Sequence, residues 1–294
     1  MNFLKDAPDG SKDRREPELV GGTDLSQVLA RRGGLTEDDI KRVEAVQDQL
    51  GLGFIEAAMR LGLITQSDLD SVLAGDQQSK PNEAAVARPS DKILSAHDPF
   101  DPYSESIRAL RTELTQRTAD DQCNVIAVIS AGSGEGRTRV AAELAVACSQ
   151  LGQSTLLVDA DLRRSRMHEL FSADNDDGLA QALMEGRAPK VQAVVGLASL
   201  SLLTAGPRSS TPIEILSDPM FGEMLEGWKR RHRHIILDTP PVSEFSDALA
   251  VATEAGRVLI VTRKDHTSMP QTKDMIKRLE VSRARILGGV LNIF

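Results

Sequence analysis

Ser130-Ala-Gly-Ser-Gly-Glu-Gly-Arg-Thr-Arg139 is the stretch on which the reading of this sequence turns. An apolar run, residues 125–129, precedes it, and a helical pattern follows from Thr138 to about Leu151. A glycine-rich turn between a strand and a helix lets backbone N–H groups close around phosphate oxygens, and the helix N-terminus adds positive dipole. The strict spacing is G-x-x-x-x-G-K-[ST]. Ala131 stands here in place of the first glycine and Arg137 in place of the lysine, while Thr138 keeps the hydroxyl that ligates Mg²⁺. Arginine preserves the charge of lysine but presents a longer planar fork. ATP binding is compatible with that change. Alignment of the γ-phosphate, which depends on positioning, is the property it would weaken.

Two acidic clusters support the loop. Leu156-Leu-Val-Asp159-Ala-Asp161 and His234-Ile-Ile-Leu-Asp238 each put carboxylates just past an apolar strand. That is where ligand groups sit in an open α/β sheet, and carboxylates there are natural beside a metal ion. Working outward, apolar runs at 155–158, 200–203, 235–237, 258–261 and 286–291 alternate with helical patterns, beginning with a helix over 104–117. Uninterrupted apolar strands separated by helices indicate an α/β P-loop NTPase fold, a mostly parallel sheet covered by helices on both faces.

Ahead of this domain, residues 1–20 are polar and expected to be disordered. Residues 21–76 read as a small all-α module with an internal repeat at an offset of 29, pairing Leu35 with Ile64, Thr36 with Thr65, Asp39 with Asp68 and Val43 with Val72. Thr36 and Thr65 each start a helix, with an acid three residues on. Residues 77–97 read as a linker, and residues 98–294 as the P-loop domain that the Asp98-Pro-Phe-Asp-Pro102 turn opens.

The chain has 294 residues, 40% hydrophobic and 27% charged, with a formal net charge of −8. That balance argues against a nucleic-acid binder, which carries a basic face. No apolar run approaches the ~20 residues that span a bilayer, and the charged start lacks the apolar stretch of a signal peptide. The expected location is cytoplasmic. Cys123 and Cys148 read as small buried hydrophobes rather than redox or metal groups. His232 and His234 bracket a strand start and are expected at a solvated edge.

The residues Gly134-Glu-Gly-Arg-Thr138, Leu157-Val-Asp-Ala-Asp-Leu-Arg-Arg164, Ile236-Leu-Asp-Thr-Pro-Pro-Val242 and Gly289-Val-Leu-Asn292 resemble the bacterial tyrosine kinase family. The resemblance runs from about Asp98 to Phe294. It is strongest to the chain-length determinant, or exopolysaccharide, subgroup, in which arginine can stand at the position of Arg137. It implies ATP and Mg²⁺ as cofactors, with Gly132, Ser133, Gly134, Glu135, Gly136, Arg137, Thr138 and Arg139 around the phosphates. Thr138, Asp161 and Asp238 would hold Mg²⁺. Asp159 would orient or deprotonate the attacking hydroxyl, Arg137 would act beside it in catalysis, and Asn292 would sit near the adenine.

Glu105, Arg108 and Arg111 match the family's E-x-x-R-x-x-R helix, which mediates ring assembly. The three lie on one helical face, and a solvated charged face is the other reading of the pattern. The implied partners are the cytoplasmic segment of a membrane chain-length determinant protein, which would recruit the chain to the inner membrane, and further copies of the chain in a ring. The family's autokinases end in a tyrosine cluster. This sequence ends Leu291-Asn-Ile-Phe294 and has one tyrosine, Tyr103, which reads as a packing residue. The N-terminal repeat resembles the helical module of type II secretion and pilus ATPases. Without their full R-L-G-x-x-L segments, it reads as a protein-interaction module rather than a cyclic di-GMP site.

Three functions stay open: a kinase-like ATPase in polysaccharide export, a non-catalytic ATP-gated scaffold in the same pathway, and a partitioning-type ATPase. The last carries a lysine five residues before the P-loop lysine, where this sequence has Gly132.

Overall fold

The computed structural model describes residues 86–98, 100–119 and 122–294, with 39, 41–43, 45, 46, 57, 58, 61 and 63 of the N-terminal part. The chain divides into two compact units, Met1–Asn82 and Glu83–Phe294. In the first, residues 39, 41–43, 45, 46, 57 and 58 are helical, and Val43, Ala57 and Ala58 are buried. The rest of the expected helical repeat and the expected disordered start lie outside the described residues.

The second unit runs β1 (Val86–Ala87), α1 (Leu94–His97), α2 (Pro102–Arg117), β2 (Asn124–Ser130), α3 (Arg137–Ser149), β3 (Thr155–Asp159), α4 (Met167–Leu170), α5 (Leu179–Glu185) and β4 (Gln192–Val194). It continues with β5 (Leu200–Leu203), α6 (Pro212–Leu216), α7 (Pro219–Lys229), β6 (His234–Asp238), α8 (Asp247–Ala255), β7 (Arg257–Arg263), α9 (Met269–Val281) and β8 (Arg285–Asn292). The eight strands form one sheet in the order β1-β4-β5-β3-β6-β2-β7-β8, parallel except where β4 meets β5. The described helices are all too short or too polar to cross a membrane.

Alternation along the strands explains the two-sided cover. On β2, Val125, Ala127 and Ile129 join one apolar cluster with Leu179, Phe221, Trp228 and Val251 of α5, α7 and α8. Ile126 and Val128 join the other with Ile93, Leu114, Val140, Leu144 and Met167, on the side of α2 and α3. Successive side chains point to opposite faces, so a strand apolar on both faces must be covered on both.

Residues 86–97 correct the expected linker over 77–97. β1 pairs with β4, and α1 packs on α3 through a buried carboxylate: Glu143 accepts the N–H groups of Leu94 (2.9 Å) and Ser95 (2.8 Å). Asp101 caps α2 by accepting from the Tyr103 N–H at 2.8 Å, as the Asp-Pro turn suggested. His234 departs from the expected solvated edge. It is buried in β6, its Nε2 lies 2.6 Å from Gln153 Oε1, and burial pushes its pKa down to about 4. Cys148 is buried and Cys123 half-buried, and burial pushes their thiols up to about 12 and about 11, so neither is a ready nucleophile.

Candidate functional site

β2 ends at Ser130 and α3 begins at Arg137, so the glycine-rich stretch forms the connection between them. Gly134 (φ 74°) and Gly136 (φ 89°) adopt left-handed backbone that other residues rarely take. A side chain at Gly136 would also collide with Asn292 Nδ2. Above the loop lies a cavity of about 400 Å³. Ser133 to Arg139 form one wall, and Lys92, Asp161, Arg164, Arg166, Glu169, Leu170 and Pro241 line the remainder.

Asp159 and Asp238 are the last residues of the adjacent strands β3 and β6 and are register partners. Both are fully buried, and Asp161 nearly so. Burial, then the neighbouring Asp238 charge, pushes the Asp159 carboxyl up to about 8. Burial likewise raises Asp238 to about 6, against the opposing pull of the Arg137 guanidinium and a hydrogen bond from the Thr138 side chain. Asp159 is well coordinated: it accepts from Ser165 Oγ (2.7 Å), Asp161 N (3.0 Å) and Met167 N (3.2 Å), folding the segment after β3 around itself.

Arg137 is buried and turned toward these acids. Its Nη1 donates to Ser130 Oγ (2.6 Å), its Nε to Asp238 Oδ1 (3.3 Å), and its Nη2 lies 3.6 Å from Asp161 Oδ2. The planar fork therefore spans two carboxylates and a hydroxyl from three separate nitrogens, where a lysine would present a single ammonium. Among the described residues no three His, Cys, Asp or Glu side chains converge as a self-sufficient metal cage. Mg²⁺ rarely uses such a cage, because it takes one or two carboxylates with phosphate oxygens and water. Thr138, Asp161 and Asp238 match that donor set.

The remaining expected residues divide. Gly132, Ser133, Glu135 and Arg139 all belong to the loop or the first turn of α3. Glu135 is buried, with Oε1 accepting from Thr267 Oγ1 (2.7 Å) and Oε2 without a hydrogen-bond partner. Asn292 is buried against the loop, its Nδ2 donating to Glu135 O at 2.8 Å. Arg139 lines the cavity, stacks 4.6 Å over the Tyr103 ring and lies 3.6 Å from Glu143 Oε1. Burial first, and the Glu143 charge second, raise the Tyr103 phenol to about 12. On α2, Glu105 pairs with Arg108, and Arg111 Nη1 donates to Ala147 O of α3 (2.8 Å).

Sequence reasoning missed Lys92, which fell in the expected linker, and Arg166. It also missed Arg263, His266 and Thr267, which reach the loop from the end of β7 and its connection to α9. The run Leu162-Arg-Arg-Ser-Arg166 after β3 was a usable signal for Arg166. Arg163 instead ties this segment to α8, with its Nε 2.5 Å from Asp247 Oδ2.

A model of the ParA family, described as NUBPL iron-transfer P-loop NTPase, matches residues 122–294. The putative tyrosine-protein kinase EpsB of Ralstonia nicotianae is 29% identical over 263 residues, covering 88% of this chain and 32% of that protein. The kinase domain of Escherichia coli tyrosine kinase ETK superposes with a TM-score of 0.65 at 31% identity, covering 68% of this chain and 80% of that one. The septum site-determining protein MinD of Pyrococcus horikoshii, complexed with Mg-ADP, shares the fold at a TM-score of 0.50 and 22% identity, over 58% of this chain and 70% of that one. The chain spans about a third of the length of the curated relatives it matches.

Proposed function

The chain belongs to the bacterial tyrosine kinase family of P-loop NTPases, and on that footing we propose that it binds Mg-ATP over residues 130–139 and transfers the γ-phosphoryl group to a tyrosine hydroxyl. The observation that carries this reading is the meeting of Asp161 and Asp238 at Arg137, with Thr138 bonded to Asp238, at the strand ends beside the loop. Backbone N–H groups of the loop and of the start of α3 would cradle the phosphates. Thr138 Oγ1, Asp161 and Asp238 would hold Mg²⁺, which when bound neutralises phosphate charge. The Mg-ADP bound by MinD, a protein of the same fold, supports that cofactor.

In the transfer, the tyrosine oxygen bonds to the γ-phosphorus as the bond to the β–γ bridging oxygen breaks, and ADP leaves with that oxygen. Asp159 would take the hydroxyl proton in its ionised form, which burial disfavours below about pH 8, so transfer by this route should rise with pH toward 8. Arg137 would swing from Asp161 and Asp238 to the phosphates as they arrive.

The pathway we propose is exopolysaccharide chain-length control and export. The chain would work at the cytoplasmic face with a membrane chain-length determinant, as a ring whose contacts include Glu105 and Arg108. The names of the relatives as tyrosine kinases support the chemistry. One observation favours a second reading, the ATP-gated scaffold: Arg137 already occupies both carboxylates that the metal requires. The test is transfer of labelled phosphate from Mg-ATP to a tyrosine-bearing acidic copolymer by the full chain, with Asp238→Asn alongside. Label on tyrosine that the variant abolishes supports the kinase. Nucleotide binding with neither transfer nor hydrolysis overturns it in favour of the scaffold.

A further inference from the structure

The outer side of the phosphate loop is held by donors from elsewhere in the chain. Three successive carbonyls are each bonded: Ser133 O lies 3.0 Å from His266 Nε2, Gly134 O accepts from Arg263 Nη1 (3.2 Å), and Glu135 O accepts from Asn292 Nδ2 (2.8 Å). A carbonyl only accepts, so His266 Nε2 carries the hydrogen in its contact. Each peptide is planar and trans, which sets its C=O and N–H in opposite directions, and the described residues contain no cis bond. Holding these carbonyls outward therefore turns the N–H groups of Gly134, Glu135 and Gly136 the other way, toward the cavity.

The loop needs such restraint. Gly132, Gly134 and Gly136 alternate along it, and glycine leaves the intervening peptides free to rotate. The donor platform is itself braced. Thr267 N–H donates to Arg263 O (2.9 Å), Thr267 Oγ1 accepts from Arg263 N (2.8 Å), and Asp265 turns the chain between them at φ 57°. Thr267 Oγ1 also donates to Glu135 Oε1, a fourth tie to the loop.

We propose that Arg263, His266 and Asn292 are positioning residues that hold the phosphate loop in its anion-binding orientation without touching the nucleotide. The proposal rests on the reading of residues 130–139 as a nucleotide site. It concerns diphosphate recognition and not the base, and this distinguishes it from a place for Asn292 beside the adenine.

The experiment uses the full chain with Mg-ADP and, separately, Mg-pyrophosphate as probes, read by calorimetric titration. His266→Ala and Arg263→Met should each weaken both probes about 3- to 10-fold, the range expected for loss of one hydrogen bond. His266→Gln, which keeps a donor, should recover most of that loss. The unliganded thermal midpoint of each variant should stay close to that of the unsubstituted chain, since His266 is exposed and Arg263 only partly buried. Loss of Mg-ADP affinity with unchanged pyrophosphate affinity would overturn the proposal, as would an equal loss in His266→Gln. Binding by the unsubstituted chain that the variants leave intact overturns this proposal alone. No binding by the unsubstituted chain overturns the nucleotide-site reading and this proposal with it.

Discussion

Replacing Arg137 by methionine keeps the unbranched stem of the buried side chain and removes the guanidinium with its charge. In the structure that charge faces Asp238 at 3.3 Å and Asp161 at 3.6 Å, with Ser130 Oγ at 2.6 Å, in surroundings that leave the side chain 9% exposed. Breaking a buried ion pair from one side costs about 3–5 kcal/mol. Asp238 has an escape, because its pKa is already raised to about 6 and it can take up a proton near neutrality. Each pKa unit of that adjustment is worth about 1.4 kcal/mol, so the lower bound, about 3 kcal/mol, is the expected cost at pH 7.5. A domain of this size shifts by about 2–4 °C per kcal/mol, which gives a fall of about 6–12 °C in the thermal midpoint followed by circular dichroism. The sign with pH follows from Asp238: in the variant its folded pKa rises further, so the deficit is largest near pH 8 and shrinks toward pH 5 as it protonates. Millimolar Mg²⁺ should restore the variant more than the unsubstituted chain, since it replaces the missing charge. A midpoint within 2 °C of the unsubstituted chain at pH 7.5, or a deficit equal at pH 5 and pH 8, refutes this reasoning.

Asp159 is raised to about 8 by burial, so its contribution to folding stability is fully present below about pH 4 and is lost as pH rises through about 8. Asp159→Asn should flatten that decline, and urea unfolding at pH 5 and pH 8 measures it; an unaltered slope counts against the assignment. Glu143→Ala leaves the N–H groups of Leu94 and Ser95 without their acceptor, at about 2–4 kcal/mol for the two. Amide hydrogen exchange at those positions should accelerate well before the sheet opens. Tyr103 is the single tyrosine, so its ionisation is visible at 295 nm, and the phenolate should appear near pH 12 while the fold holds. A midpoint near 10 would mean an exposed ring.

The central strands, the loop and the three aspartates were legible because each is a local pattern: an apolar run, a glycine spacing, an acid at a strand end. β1 and α1 were not. A two-residue strand has no periodicity, and its pairing with β4 and the Glu143 carboxylate that receives α1 are contacts between distant segments. β4 was missed for the same reason, being three residues of mixed polarity paired antiparallel to β5. Arg137 was legible as a substitution, but its inward turn to Asp161 and Asp238 depends on the sheet bringing β6 beside β3. The donors on the loop carbonyls have no sequence signature, because the bonds go from side chains to backbone across about 130 or more residues. His234 reads as an edge residue from its charged neighbours. Distant segments surround it: Gln153 Oε1 meets its ring nitrogen, and it lines a small cavity with Leu114 and Thr118 at the end of α2 and Leu144 of α3.

The most direct measurement is calorimetric titration of the full chain with ATP, with and without Mg²⁺, beside Asp238→Asn. The account predicts one nucleotide per chain, binding that depends on Mg²⁺, and at least a tenfold weaker affinity in the variant, about 1.4 kcal/mol. Absence of binding by the unsubstituted chain, or binding indifferent to both Mg²⁺ and Asp238, would contradict it.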